Sequence, residues 1–438
     1  MRKVVLALAA AAACLPGVLA AQALSGATLI RGARIFDGEQ MIGVRDVLVD
    51  RGRIARVGAK LAAPSGAAVV DGAGKTLLPG LMDSHVHVFP GAAADALRFG
   101  VTTEFDMFTL APSDLVAARR AQRASYGRSD EADVWSAGTG VTPPGGHPTQ
   151  LAKGMGVDIP TLAPADDPAG FVRARIAEGS DYLKIFQDDG TAHGAAASLS
   201  AFPKDRLGAV IAAAKASDRR AVVHVSKLGD AKDAFGFGAD AIAHMFQDQP
   251  ADEAFVALAR EKKATIIPTL SVLAGASADG SAAALAADPA IAPHLSPMQK
   301  GMIAARFPRT RPQTLARALE SVRRLDAAEV TILAGTDAPN PSTAHGPTMH
   351  QELELLVRAG LTPAEALAAA TSRPADFFGT ADRGRIAEGL RADLLLVEGD
   401  PTADIRATRQ IAGIWKNGFP VDRAKLPTPP PMPPGAER

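Results

Sequence analysis

The sequence is poor in residues that crosslink or stack. Its 438 residues include a single cysteine, Cys14, with 2 tryptophans, 2 tyrosines and an aromatic content of 5%. One thiol cannot form an internal disulfide, so nothing in the fold depends on an oxidised framework. Few aromatic rings leave the core to small and branched aliphatic side chains, which suits the layered interior of a strand barrel. Neither sign of charge is in excess, since 47 basic residues face 47 acidic ones. A balanced chain lacks the basic field that recruits nucleic acid or an anionic membrane surface, and both partner classes are excluded on that ground. Beyond about residue 23 no apolar run is long enough to span a membrane, and no repeat of solenoid period is visible.

What is there begins with a leader. Met1-Arg2-Lys3, an apolar run to about Ala20 and the small-residue site Ala21-Gln22-Ala23 are the parts of a secretory signal peptide over residues 1–23. The mature chain is then expected to be periplasmic or secreted, with no membrane attachment, no cysteine and a slight negative charge. Its length exceeds what one hydrophobic core usually serves, so two units are expected. Residues 24–76 and 381–425 carry short alternating strands, at 28–36, 46–50 and 53–57, and again at 384–387, 392–397 and 411–418. Strand-rich ends flanking a long centre predict a small β-sandwich built from both termini. Between them, residues 77–380 alternate apolar runs with alanine-rich helical stretches, the pattern of βα units. Candidate strands near 78–87, 101–107, 134–138, 182–187, 221–225, 241–246, 266–270 and 330–334 predict an α/β fold, a (β/α)8 TIM barrel. In such barrels active sites lie at the C-terminal strand ends. Residues 426–438 are proline-rich and read as a disordered tail.

The chemistry starts at His85-Val86-His87, which closes the run Thr76-Leu77-Leu78-Pro79-Gly80-Leu81-Met82-Asp83-Ser84. Alternate side chains of a strand point the same way, so the two imidazoles can hold one metal ion; a polar strand face carrying two histidines is the simpler reading. The whole run resembles the first barrel strand of the amidohydrolase superfamily, metal-dependent hydrolases built on a (β/α)8 barrel. Lys184 is the one polar group in Tyr182-Leu183-Lys184-Ile185-Phe186. It either pairs with a carboxylate such as Asp188 or is carboxylated by carbon dioxide, for which burial suits it by depressing its pKa. In the binuclear members a lysine at this strand position bridges two metals as its carbamate. His224 and His244 end two successive strands, and the resemblance implies that they bind the second metal. Asp337, after Ala334-Gly335-Thr336, matches the family's aspartate, which binds the first metal and exchanges a proton with the attacking water. The implied metal set is therefore His85, His87, Lys184, His224, His244 and Asp337, holding two divalent ions. Zinc is the default for nitrogen-rich ligation, and iron, manganese or cobalt would fit the same shell. Two such cations lower the pKa of a bridging water and polarise the substrate carbonyl, while Asp337 moves the proton to the leaving group.

Other residues bear on substrate. His147, in the loop Gly145-Gly146-His147-Pro148, is placed to hydrogen-bond a substrate carbonyl or carboxylate, or else is a turn histidine in solvent. Lys227 could pair with a substrate carboxylate or be an ordinary surface lysine. His345 could face the pocket, whereas His350 and Glu352 read as helix surface, and His193 and His294 as exposed. Deaminases of the superfamily carry a glutamate at the position of Lys227, so deamination is not expected. The segment after Lys184, the Gly-Gly-His loop and the leader resemble a prolidase-like and ochratoxinase-like branch, which includes Xaa-Pro dipeptidases and amidases that release an amino acid from bulky N-acyl compounds. Ser226-Lys227 departs from the histidine-alanine and tyrosine pattern found there in parts of that branch. The resulting expectation is a hydrolase of non-cyclic amide bonds acting on a small molecule, dipeptidase-like or an N-acyl amino acid amidase, with a homo-oligomer possible in principle. Hydrolysis of a cyclic amide or lactone is the alternative within catalysis. A secreted binding protein on the same barrel is the alternative outside it, which six separate ligand positions argue against.

Overall fold

The computed structural model describes residues 24–111, 113–193 and 199–428. Residues 1–23, read from the sequence as a leader and containing Cys14, and residues 429–438 of the proline-rich end lie outside the described residues. The chain opens with five strands, β1 (Thr28–Phe36), β2 (Met41–Asp50), β3 (Arg53–Gly58), β4 (Ala68–Asp71) and β5 (Lys75–Pro79). Eight strands of the centre follow: β6 (Leu81–Val86), β7 (Val101–Asp106), β8 (Asp133–Ser136), β9 (Leu183–Gln187), β10 (Ala221–Val225), β11 (Ala241–Ala243), β12 (Thr265–Ile267) and β13 (Thr331–Ile332). Three more close the chain, β14 (Leu394–Glu398), β15 (Ile411–Lys416) and β16 (Phe419–Pro420).

The two ends of the chain pair as their strand patterns predict. They form one hydrogen-bonded sheet in the order β16-β15-β14-β5-β1-β2-β3, with β4 beside β1. The joint is the antiparallel pair β14 and β5, in which Leu394 faces Pro79 and Leu396 faces Leu77. Alternation along these strands puts Ile30, Ile35, Val47, Val49, Leu77, Leu396 and Trp415 into one buried cluster. The strand expected at 384–387 does not form. Gly384 turns there with φ +80°, and a Cβ at that position would lie 2.6 Å from the carbonyl of Thr371, so the chain bends into a loop.

All eight expected central strands are present and every neighbouring pair is parallel. They form two sheets, β6-β7-β8 and β9-β10-β11-β12-β13. At the two seams the sheets meet through single parallel bridges, Val86 with Ala338 and Val141 with Ile185, in place of a continuous ladder. Side chains of β6, β7, β9, β10, β11 and β12 are buried throughout, as parallel strands covered by helices require.

The terminal sheet is locked to this core by a buried ionic cluster. Lys416 Nζ lies 2.7 Å from Asp133 of β8 and 2.8 Å from Asp393 beside β14, and Arg383 reaches the same two carboxylates. Although burial alone would raise the Asp133 carboxyl, Lys416 and Arg383 hold it below the usual carboxylate range.

The helix Pro347–Ala359 corrects another expectation, because His350 and Glu352 are both fully buried. Glu352 accepts hydrogen bonds from the backbone of Leu270 (2.9 Å) and Ser271 (2.7 Å), serving the first N–H groups of the helix Leu270–Ser277. His350 sits 3.1 Å from the carbonyl of Phe99 and 3.0 Å from Thr408 Oγ1. Burial, with repulsion from Arg409, lowers its pKa from 6.5 to about 3. The imidazole is therefore neutral in the folded state over a range where the unfolded chain binds a proton. Its contribution to stability is complete above pH 6.5 and is lost as pH falls from 6.5 to about 3, with a limiting slope of about 1.4 kcal/mol per pH unit. Denaturant titrations across that range should show a shallower acid loss for His350→Asn than for the parent chain; parallel profiles would contradict this.

Candidate active site

Six side chains named from the sequence meet at the C-terminal edge of the parallel strands. His85 lies in β6 and His87 just beyond it, and both reach Asp337 Oδ1, at 3.3 and 2.9 Å from their Nε2 atoms. Asp337 follows β13, Lys184 lies in β9, His224 in β10 and His244 directly after β11. Lys184 Nζ is 3.5 Å from His85 Nε2. The ring of His244 stands 4.6 Å from that of His85 and 4.4 Å from that of His224, centre to centre.

Local backbone geometry explains how they converge. His244, Thr269 and Asp337 adopt left-handed conformations with φ of 70°, 48° and 59°, an arrangement disfavoured in side-chain-bearing residues and held here by the surrounding packing. Thr269 Oγ1 contacts His244 Nδ1 at 2.8 Å. Gly335 permits β13 to approach β6, since a Cβ there would come within 2.9 Å of His85 Cβ and 2.7 Å of Ile267. Asp83 then ties the two strands, accepting hydrogen bonds from His85 N (3.1 Å), Thr336 N (3.0 Å) and Thr336 Oγ1 (2.7 Å). Burial pushes its carboxyl up to about 8 in spite of these donors.

The electrostatics suit metal ligation. Burial lowers the pKa of His85 to about 3 and those of His224 and His244 below the ordinary value, leaving neutral imidazoles with free lone pairs. Burial alone would raise Asp337, but the neighbouring His244 and His85 keep its carboxyl well below the usual range. Burial brings Lys184 down to about 7. His85 Nδ1 is buried without a hydrogen-bond partner. Donor atoms of His85, His244 and Asp337 lie within 4.8 Å of one another, as do those of Asp188, His193 and His224. A set of imidazole nitrogens, carboxylate oxygens and a lysine amine with a lowered pKa fits divalent metal ions.

These residues form the floor of a cavity of about 960 Å³. His147 lines it, its ring 5.0 Å from that of His224, and the Gln150 side chain lies 2.8 Å from its Nδ1. With the Gln150 amide as donor, the imidazole proton sits on Nε2. Burial holds His147 well below its ordinary pKa, so it is a neutral donor. Two expected substrate contacts are placed elsewhere. Lys227 pairs with Asp189 at 2.6 Å and does not line the cavity, because the Asp189 carboxylate satisfies it. His345 is fully enclosed, with Nδ1 2.6 Å from Glu104 and Nε2 3.2 Å from the carbonyl of His87, so it braces the strand behind the ligands. Lys184 does not pair with Asp188, which instead accepts from Ser226 Oγ at 2.6 Å and contacts His193 and His224 at 2.8 and 3.3 Å.

From the sequence, Asp188 stood only as a partner for Lys184 and His193 as exposed; both line the cavity, and His294 is half-buried. Asp188 immediately follows β9, so the rule that places active-site groups at the C-terminal strand ends pointed to it as well. Arg311 and Gln247, which also line the cavity, carried no such signal.

A parallel α/β core that gathers histidines and an aspartate at its strand ends is the architecture of a metal-assisted hydrolase. The chain belongs to the amidohydrolase family, whose model matches residues 76–421. Among its relatives is a dihydroorotase of Geobacter sulfurreducens, 52% identical over 61 residues, a stretch that is 14% of this chain and spans only 14% of that protein's length. A crystal structure of a Xaa-Pro dipeptidase is 22% identical with a TM-score of 0.71, covering 91% of this chain and 100% of that one. The A. niger ochratoxinase is 20% identical with a TM-score of 0.67, covering 90% and 95%. These two likenesses are of fold.

Elemental analysis of the purified protein should find about two divalent metals per chain, given the six nitrogen- and oxygen-bearing side chains gathered on one cavity floor. Chelation should abolish activity and metal return should restore it. A metal-free preparation with full activity would contradict the assignment.

Proposed function

We propose that this protein is an exported, metal-dependent amidohydrolase that cleaves a non-cyclic amide bond in a dipeptide or an N-acyl amino acid. The observation that carries the reading is the convergence of His85, His87, Lys184, His224, His244 and Asp337 on the floor of one large cavity. The proposed setting is a closed (β/α)8 barrel over residues 77–380 beside a β-sandwich from residues 24–76 and 381–425, supported by the two seam bridges and by the pairing of β14 with β5. Fold likeness to a Xaa-Pro dipeptidase and to ochratoxinase supports the substrate class. The leader supports export to the periplasm or beyond.

The six residues would hold two divalent ions, zinc by default, with Lys184 carboxylated; an amine whose pKa is about 7 has a large neutral fraction available to carbon dioxide. Such ions acidify water and polarise a carbonyl. The protein's own groups do the rest. Asp337, ionised and facing His85 and His87, takes up the proton released when water attacks and delivers it to the leaving nitrogen. His147 donates from Nε2 to the substrate carbonyl and so fixes its orientation. Phe108 and Phe186 border the same floor and limit water there.

With metal loaded, the enzyme should hydrolyse members of a panel of dipeptides and N-acyl amino acids; turnover confined to lactones or cyclic amides would overturn the substrate class. Asp337→Asn should lower kcat by roughly 10²-fold or more even where metal is retained. His147→Ala should raise KM and lower kcat with metal content unchanged. Wild-type turnover in the asparagine variant would refute the proton transfer at its central step. Lys184→Arg should be inactive, since guanidinium forms no stable carbamate; full activity in that variant would refute carboxylation.

A further inference from the structure

One cation of the cavity has no place in the chemistry above. Arg311 lies in the segment that follows the helix Pro297–Ala304, and its side chain enters the cavity beside the metal-ligand cluster. Its Nη1 atom is 2.8 Å from His193 Nδ1 and 2.8 Å from Gln247 Oε1. Two acceptors use both hydrogens of Nη1, whereas among the described residues neither Nη2 nor Nε has a hydrogen-bond partner and no carboxylate forms an ion pair with Arg311. Asp188 is reached only through His193, whose Nε2 donates to it at 2.8 Å. The guanidinium also leans on the Phe307 ring, with Cζ 5.9 Å from the ring centre.

Holding a guanidinium in one orientation by neutral acceptors, with two donor nitrogens left over, is wasteful unless a ligand takes them. A planar fork of donors matches a carboxylate in two-point contact. Phe108, Leu110, Leu115, Leu151 and Met155, from the segments after β7 and β8, give one wall of the cavity an apolar face, beside Thr109, Arg119 and Gln150 of the same segments. Arg311 comes instead from the stretch between β12 and β13, which belong to the other parallel sheet. Leu151 and Met155 are 50% and 61% exposed, so this wall runs out to the surface. Apolar side chains left in water around a cavity mouth mark a binding surface.

We propose that Arg311 is the specificity-determining residue that anchors the free carboxylate of the substrate through Nη2 and Nε, while the wall built on Leu110, Leu115, Leu151 and Met155 receives a bulky apolar acyl group. The substrate class is thereby narrowed to N-acyl amino acids with an aromatic or long aliphatic acyl arm. This rests on the amide-hydrolase reading of the same cavity. Because His193 and Gln247 occupy Nη1 alone, the carboxylate adds to the existing contacts and displaces none of them.

The test compares N-benzoyl-L-phenylalanine with its uncharged carboxamide, using metal-loaded wild type, Arg311→Gln and Arg311→Lys. The wild type should favour the acid over the carboxamide by at least tenfold in kcat/KM. Arg311→Gln should lose at least tenfold on the acid, chiefly through KM, with a loss at least fivefold smaller on the carboxamide and metal content unchanged. Arg311→Lys should recover part of the preference, since it keeps the charge but not the fork. Equal losses on both compounds, or no loss on the acid, would overturn the anchor. If the wild type cleaves neither compound, the hydrolase reading fails for this class, and calorimetric binding still reads the anchor. Tighter binding of the acid that Arg311→Gln removes supports it, and equal binding of acid and carboxamide overturns it.

Discussion

Asp83 holds the first strand of the parallel core against the last, and the metal-ligand cluster depends on that contact. Its carboxyl group accepts from His85 N, Thr336 N and Thr336 Oγ1, while Gly335 lets the two backbones close to a distance that any side chain would forbid. The result sets His85 and His87 against Asp337 although some 250 residues separate them in sequence. Ligand geometry is thus inherited from strand packing, which is rigid, and not from loops, which are not.

Such a cluster is expensive in the absence of cations. Burial depresses the imidazoles of His85, His224 and His244 and the Lys184 amine, while Asp337 stays ionised among them. Left-handed backbone at His244, Thr269 and Asp337 adds strain at the same edge. The compensation lies away from the site, in the hydrophobic interior of the parallel core and in the Lys416–Asp133–Asp393 cluster that fastens the terminal sheet to it. Bound cations would turn the strained edge into a favourable one, because neutral imidazoles and an ionised carboxylate are the forms that ligate.

Much of this was legible in the sequence, for a physical reason. Buried parallel strands must be apolar runs, so a lone histidine or lysine within or at the end of such a run stands out, as Lys184, His224 and His244 do. The pairing of the chain ends was legible from alternation. Residues whose meaning depends on a neighbour distant in sequence were not. His350 looks amphipathic by position but is covered by Phe99 and Thr408. His345 points behind the strand toward Glu104, and Lys227 is taken by Asp189, neither of which spacing could reveal. Gly384 broke a strand that composition favoured, because the approach of Thr371 demands a turn.

Arg311 shows the same limit from the functional side. Nothing local marks it, since it lies in a stretch rich in arginine and proline with no periodic pattern. Its role follows from two distances that only the fold creates, to His193 and to Gln247. By donating to His193 Nδ1 it also fixes the tautomer in which Nε2 donates to Asp188, which in turn contacts His224. The group that would read the substrate's carboxylate is therefore linked, through three successive contacts, to His224 of the ligand cluster. Substrate charge and ligand orientation share one network, so a substrate that lacks the carboxylate should be held less firmly over the cations even where its amide bond is chemically identical.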